Sequence, residues 1–280
     1  MSSDIMPMTE PRPRRQRSQG SGAADAALLF DEPGPRGRIL IAIGSVVAVI
    51  GIAALAAAVL YRLDLAGQLD YPKWRYFLGQ SVVSQLLEAA GTTLTLGGVA
   101  AVLTFPLGIA LGWLRLLDNR PIKWLIGLWI DAMRAVPMLL LVYFFLLVVP
   151  RFATISDFWK LALPIVMCTS ATTAEVFRSG VRALDRGQTE AAWALGMSPS
   201  LTMRLILAPQ ALRLMLPTLI TQMVTIIKGT TLAYVLAYPE LMYRGSTMIG
   251  QAKIDAHLSV FFQTYVIIAV LYIIVNWSLG

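Results

Sequence analysis

Lys228 stands fourteen residues into the apolar run Leu214–Ala237, roughly 21 Å along a helix. An unpaired charge at such depth costs roughly 3 kcal/mol or more, so it calls for an anion: a ligand carboxylate, or Asp131 or Glu175 from a neighbouring helix. Backbone carbonyls are the other way to satisfy it. Thr230 and Thr231 follow Gly229 and offer hydroxyls either to a polar ligand or to their own helix backbone. Glu175 and Arg178 are three apart, as are Asp131 and Arg134, so each couple shares a helical face and can pair as a static salt bridge or a gate contact. This is charge-pairing chemistry rather than bond cleavage. The chain has one His and one Cys and contains neither H-E-x-x-H nor G-x-S-x-G, so no hydrolytic set is visible. His257 has no second ligand in view and no metal site is expected. Cys168 cannot form a disulfide within the chain.

The elements that carry these residues are set by composition. Hydrophobic residues make up 57% and charged residues 14% of the chain, whereas a soluble domain carries about 25% charged residues. The pattern predicts an all-α integral membrane protein. Residues 1–38 are rich in Arg, Pro, Ser and Gly and read as a disordered cytoplasmic tail, with a lipid- or partner-touching arm as the alternative. Residues 39–60 are long enough to cross about 30 Å of hydrocarbon and exceed a signal-peptide core of about 7–15 residues. Residues 61–87 mix Tyr71, Trp74, Tyr76 and Phe77 with Lys73 and Arg75, the chemistry of an external interfacial segment.

Ala89–Leu114 is the next span. Ile122–Val149, at 28 residues, is too long for one perpendicular crossing, so its first half is expected at the inner interface with the rise near Asp131, Arg134 and Pro137. Leu161–Phe177, Leu214–Ala237 and Val260–Leu279 complete six spans, with Pro239–Ser259 as an outer segment. In this topology 14 Lys and Arg lie inside, 7 outside and two at membrane depth. That bias puts both ends in the cytoplasm and accounts for the +7 charge without nucleic acid. Gly280 closes the last span without the usual basic flank, as a shortened chain would.

Between two spans lies Gly187–Gln210, which reads as ordered helix rather than linker. Thr189 can cap a short helix through Leu195, Gly196 can end it in a left-handed turn, and Ser198-Pro199 can open a second helix that runs until Pro209 interrupts it. Glu190, Ala191 and Ala192, then three residues, Gly196, nine residues, Ile206 and Pro209 resemble the E-A-A loop of permease subunits in bacterial ABC importers. Ala174-Glu175-Val176-Phe177-Arg178-Ser179-Gly180 resembles the A-E-x-x-R-x-G run of the polar-amino-acid importers. Arg134-Ala135-Val136-Pro137 is similar to their R-G-x-P, and Lys228-Gly229-Thr230-Thr231-Leu232 to their K-x-T-S-L. The likeness covers Glu88 to Gly280. It departs at Ala208, where the family usually has Leu, which loosens one expected contact of the loop.

The resemblance implies a five-helix type I ABC importer permease core at 88–280 plus one extra N-terminal helix, with a coupling loop at 187–210. It implies two ATPase subunits, a second permease subunit that is identical or a sister, an extracellular substrate-binding protein and an amino-acid substrate. ATP and Mg would be bound by the partner ATPase, since this chain has no G-x-x-x-x-G-K-[S/T] loop. Glu190 would bond the ATPase groove or cap its own helix, Ala191 and Ala192 would keep the docking face thin, and Gly196 would set the angle between the two short helices. The long tail, the extra span and Asp31–Arg38 are similar to glutamate-type permeases. A gradient-driven secondary transporter or channel, and a membrane-anchored scaffold, are the alternatives that the charged residues alone leave open.

Overall fold

A computed structural model describes residues 34–279. Most of the expected basic tail, residues 1–33, lies outside the described residues, as does Gly280. Every regular element among the described residues is a helix. The chain divides into two units, Met1–Ala66 and Gly67–Gly280. In the first, α1 spans Pro35–Leu65, longer at both ends than the apolar run alone predicts. Pro35 opens it, where the missing N–H is not needed. At 31 residues it is about 46 Å long, and it is apolar around its whole circumference, as a lipid-facing helix must be.

The second unit opens with α2 (Tyr71–Arg75) and a 3-10 turn at Tyr76–Leu78. The long helix α3 then runs from Gln80 to Leu116, so its start lies inside the stretch expected to be interfacial. Asn119 accepts from the Ile122 N–H at 3.2 Å and opens α4 (Arg120–Ala135). Val136 precedes Pro137 and is therefore driven out of helical geometry. The chain bends by 95° there into α5 (Met138–Leu147) and the 3-10 turn Val149–Arg151. The excess length of this apolar stretch is thus absorbed by a corner at the proline.

Helix α6 (Asp157–Arg182) is the centre of the unit and packs most extensively on α3. Thr169, Ser170 and Thr173 are buried in it. Thr169 and Thr173 donate to carbonyls one turn back, and Thr169 also meets Thr104 of α3 at 2.8 Å. By length and composition three helices can cross a membrane: Pro35–Leu65, Gln80–Leu116 and Pro199–Leu236. The bent pair makes a fourth, and Phe261–Trp277 is a shorter apolar helix. Helix α6 has the length but not the hydropathy, for a physical reason: surrounded by other helices, it has polar hydroxyls facing protein rather than lipid.

After α6 come α7 (Arg186–Ala194), α8 (Pro199–Thr202), a π turn at Met203–Leu207 and α9 (Ala208–Gly229). Pro209 does not interrupt the second helix as expected. The wider π turn just before it relieves the clash a proline ring makes with the carbonyl four residues back, and the helix continues to Leu236. Beyond a 3-10 segment, Thr230–Leu236, lie α10 (Leu241–Asp255) and α11 (Phe261–Trp277). The region read as an outer segment is therefore packed structure: Glu240, Leu241, Met248 and Ala252 are fully buried.

Candidate functional site: a charge cluster, a polar helix face and a two-helix projection

Arg115, the last basic residue of α3, gathers three helices. Its Nη1 donates to Glu175 Oε2 of α6 at 2.7 Å, and Nη1 and Nη2 reach Asp131 Oδ1 and Oδ2 of α4 at 3.3 and 3.2 Å. Arg178 Nη1 donates to the other Glu175 oxygen at 2.5 Å, so the expected pair Glu175 and Arg178 forms. The expected pair Asp131 and Arg134 does not, because the guanidinium fork of Arg115 fits the Asp131 carboxylate at both oxygens. Arg134 is instead exposed at a cleft of about 420 Å³ lined by Glu175, Ser179, Met215 and Thr218 among others.

Lys228 does not meet Asp131 or Glu175, both of which Arg115 already holds. It is exposed and makes no ion pair among the described residues. Thr218, Thr221 and Thr225 are exposed at helical spacing before it, giving α9 a polar stripe along an otherwise apolar length. Thr230 and Thr231 turn their hydroxyls back onto the Ile227 and Lys228 carbonyls at 2.7 and 2.8 Å, the self-satisfying alternative left open by the sequence. Thr230 is buried.

The stretch 186–207 is built by local rules. Asp185, rather than Thr189, opens α7 by accepting from the Gly187 N–H at 2.6 Å, and Glu190 sits mid-helix instead of capping it. At the other end the Gly196 and Met197 N–H groups return to the Trp193 and Ala192 carbonyls at 2.9 and 3.1 Å. That double closure needs a left-handed residue, and Gly196 supplies it at φ +75°. Ser198 then accepts from the Leu201 N–H at 3.4 Å. Gln210 Nε2 donates to Gln188 Oε1 at 3.2 Å, tying α7 to α9. Ala192 is buried, Glu190 and Ala191 are exposed, Trp193 is 56% and Leu195 83% exposed. Ile206 is half-buried in the π turn and Pro209 exposed just after it.

Two polar centres went unread in the sequence. Arg115 has no local pattern that marks its role, since its partners are 16 and 60 residues away. Glu240 falls in the stretch that the sequence reads as an outer segment. Its carboxylate accepts from the Met242 and Tyr243 N–H groups and from the Tyr272 hydroxyl at 2.9, 2.8 and 3.0 Å. Burial pushes its carboxyl above the usual carboxylate range, and the three donors oppose that rise. Asp185 was readable: Gln188 three residues on completes a capping-box pattern.

Long apolar helices around a hydroxyl-bearing central helix, with a polar stripe in the membrane-length α9 and two short capped helices between α6 and α9, are the architecture of a polytopic membrane protein. Residues 104–280 match the family described as binding-protein-dependent transport system inner membrane component, and the chain belongs to that family. It is 33% identical over 189 residues to the probable glutamine ABC transporter permease protein of Bacillus subtilis, covering 67% of this chain and 85% of that one. To the glutamate transport system permease protein of Corynebacterium glutamicum it is 33% identical over 218 residues, covering 76% and 78%. Its fold is similar to that in the crystal structure of an amino acid ABC transporter with histidines, at TM-score 0.64 and 24% identity, covering 71% of this chain and 91% of that one.

Proposed function

We propose that this chain is the permease subunit of an ATP-driven importer of a polar amino acid, with glutamate favoured, and that Gly187–Gln210 is the handle by which a separate ATPase drives it. The names of its relatives, which include glutamine, glutamate and glutamate/aspartate permeases, support the substrate class. The observation that carries the coupling reading is the projection closed at Gly196. A doubly hydrogen-bonded turn between two capped helices transmits force as a unit, and it offers the exposed Trp193 and Leu195 to a partner. Glu190 and Ala191 are exposed beside them, leaving a thin face with one acid free to seat.

The complex has two ATPase subunits, which bind the ATP and Mg, a second permease that is identical or a sister, and an external protein that delivers the amino acid. The amino terminus and the projection lie on the cytoplasmic side. Closure of the ATPase pair moves the projection, and α9, continuous with it through the π turn, carries the motion into the membrane. Lys228 and the threonines of α9 face the pathway, where a lysine meets the substrate carboxylate. The cluster of Arg115, Asp131, Glu175 and Arg178, with Arg134 beside it, holds or gates the end of that pathway.

A cysteine crosslink tests the coupling. Cys168 is buried, so Trp193→Cys is the accessible thiol. In a functional complex it should crosslink to the ATPase chain, and nucleotide should change the yield. An assembled, active complex in which this position crosslinks only to external reagents would overturn the reading.

A further inference from the structure

Helix α4 presents three different faces. Ile126, Ile130 and Met133 pack inward, while Ile122, Leu125 and Trp129 form an exposed apolar ridge. On the side of α4 away from that ridge, Lys123, Gly127 and Asp131, with the exposed apolar Trp124 and Leu128 beside them, line a pocket of about 340 Å³ that Arg115 and Arg178 border. The 95° corner after α4 sets it across the direction of the apolar helix that follows. A helix crosswise to a span, with tryptophans and an apolar ridge, lies in the membrane interface.

The pocket has cationic capacity left over. Three cations line it against the carboxylates of Asp131 and Glu175, and Arg115 engages both of those acids. Arg178 uses only one Nη, on Glu175, so its other Nη is left for a ligand. Lys123 is exposed and forms no ion pair among the described residues. Gly127 forms the floor, and the Arg115 guanidinium lies over it at ordinary contact distance, 3.6 to 3.8 Å from the position of a side-chain carbon.

We propose that this pocket binds the headgroup of an anionic phospholipid, its phosphate between Lys123 and Arg178 and its chains along the exposed Trp124, Leu128 and Leu125. A basic recess against apolar surface at the interface matches a molecule that is anionic at one end and oily at the other. A free phosphate has no use for those apolar side chains, and an acidic peptide would leave them bare. The inference is independent of the coupling role of the projection: it concerns a different face and has its own readout.

The test is native mass spectrometry of the purified full chain in zwitterionic detergent, titrated with phosphatidylglycerol, phosphatidylcholine or inorganic phosphate. Phosphatidylglycerol should be retained at least about fivefold more strongly than phosphatidylcholine. Lys123→Gln should erase about fivefold of that preference, the share of one cation at a membrane surface, and Lys123→Glu should abolish it. Lys253→Gln, an exposed cation on α10, should leave it intact. Equal retention of the two lipids overturns the site. So does an unaltered preference in Lys123→Gln, an equal loss in Lys253→Gln, or displacement of phosphatidylglycerol by equimolar inorganic phosphate.

Discussion

Arg115 donates to Glu175 at 2.7 Å across 60 residues of sequence, and the same guanidinium grips Asp131. One side chain therefore fixes where the ends of α3, α4 and α6 meet. Breaking a buried ion pair by removing one partner costs about 3–5 kcal/mol, but Asp131 is 59% exposed, and solvent screens that arm. Arg115→Ala should therefore cost about 2 kcal/mol in a detergent unfolding titration. Arg115→Lys, which keeps the charge but loses the fork, should cost less. A wild-type midpoint in Arg115→Ala would remove the cluster from the structural account.

Helices α3 and α6 approach closely enough that only glycine fits at two positions. A side-chain carbon at Gly108 would lie 2.9 Å from the Ser170 carbonyl oxygen, and one at Gly112 2.6 Å from that of Ala174. Backbone cannot step aside, so Gly108→Ala and Gly112→Ala should each destabilise by about 1–3 kcal/mol. At Gly97 the nearest obstacle is the flexible tip of Ile227, so Gly97→Ala should cost under about 1 kcal/mol. Thermal midpoints of the three variants give the ordering directly.

Where the chain's own neighbours decide the geometry, the sequence was readable. Gly196, Ser198 and Pro137 each act within a few residues, and the left-handed turn, the second cap and the corner follow from them. On spacing alone Asp131 can pair with Arg134, three residues away, or answer Lys228, because distance in the fold is invisible from the chain. Arg115 offers a better fork from 16 residues away. Lys228 was given a choice of acids for the same reason, and the acids are taken. Glu240 was missed because burial is a tertiary property: its own neighbours, Pro239 and Leu241, look like loop. The helix Asp157–Arg182 reads as a weak span for the opposite reason, since its polar residues answer to other helices rather than to lipid.

Glu240 is the one acid among the described residues that is wholly buried, and it organises the entry to α10. Glu240→Ala removes the acceptor of three donors and should cost about 1–3 kcal/mol. Glu240→Gln keeps one acceptor and should cost less. Because burial raises the carboxyl in the folded protein, the fold binds this proton more tightly than the unfolded chain does. The proton's contribution is complete below the unfolded value and fades as pH rises through the folded one. Thermal midpoints should therefore show a fall with rising pH across the carboxylate range in the wild type that is smaller in Glu240→Gln; equal slopes would contradict it.

Lys228 is exposed on α9 without an ion pair, so its removal should leave insertion and folding unchanged. If it meets the carboxylate of the substrate, Lys228→Gln should lower uptake about tenfold at limiting substrate, equivalent to about 1.4 kcal/mol. Lys228→Arg should retain part of the activity. Uptake by proteoliposomes over a range of substrate concentrations measures both, and a Lys228→Gln protein with unaltered uptake would take the residue out of the pathway.

Gly196 separates the conformational demand of the projection from its surface. A side-chain carbon there would meet nothing within 4 Å, so substitution is penalised only by the φ of +75°. Gly196→Ala should cost about 1 kcal/mol, and Gly196→Val more, because branching at Cβ is least compatible with that turn. Asp tolerates the left-handed region better than most residues, so Gly196→Asp should insert and fold while planting a charge and a side chain on the face proposed to seat an ATPase. The expected outcome is a complex that hydrolyses ATP but no longer imports. Both rates are measurable in the same proteoliposomes, and full uptake by Gly196→Asp would count against docking at this turn. Loss of folding in Gly196→Val with retention in Gly196→Asp would separate the two effects, because only the first variant violates the backbone.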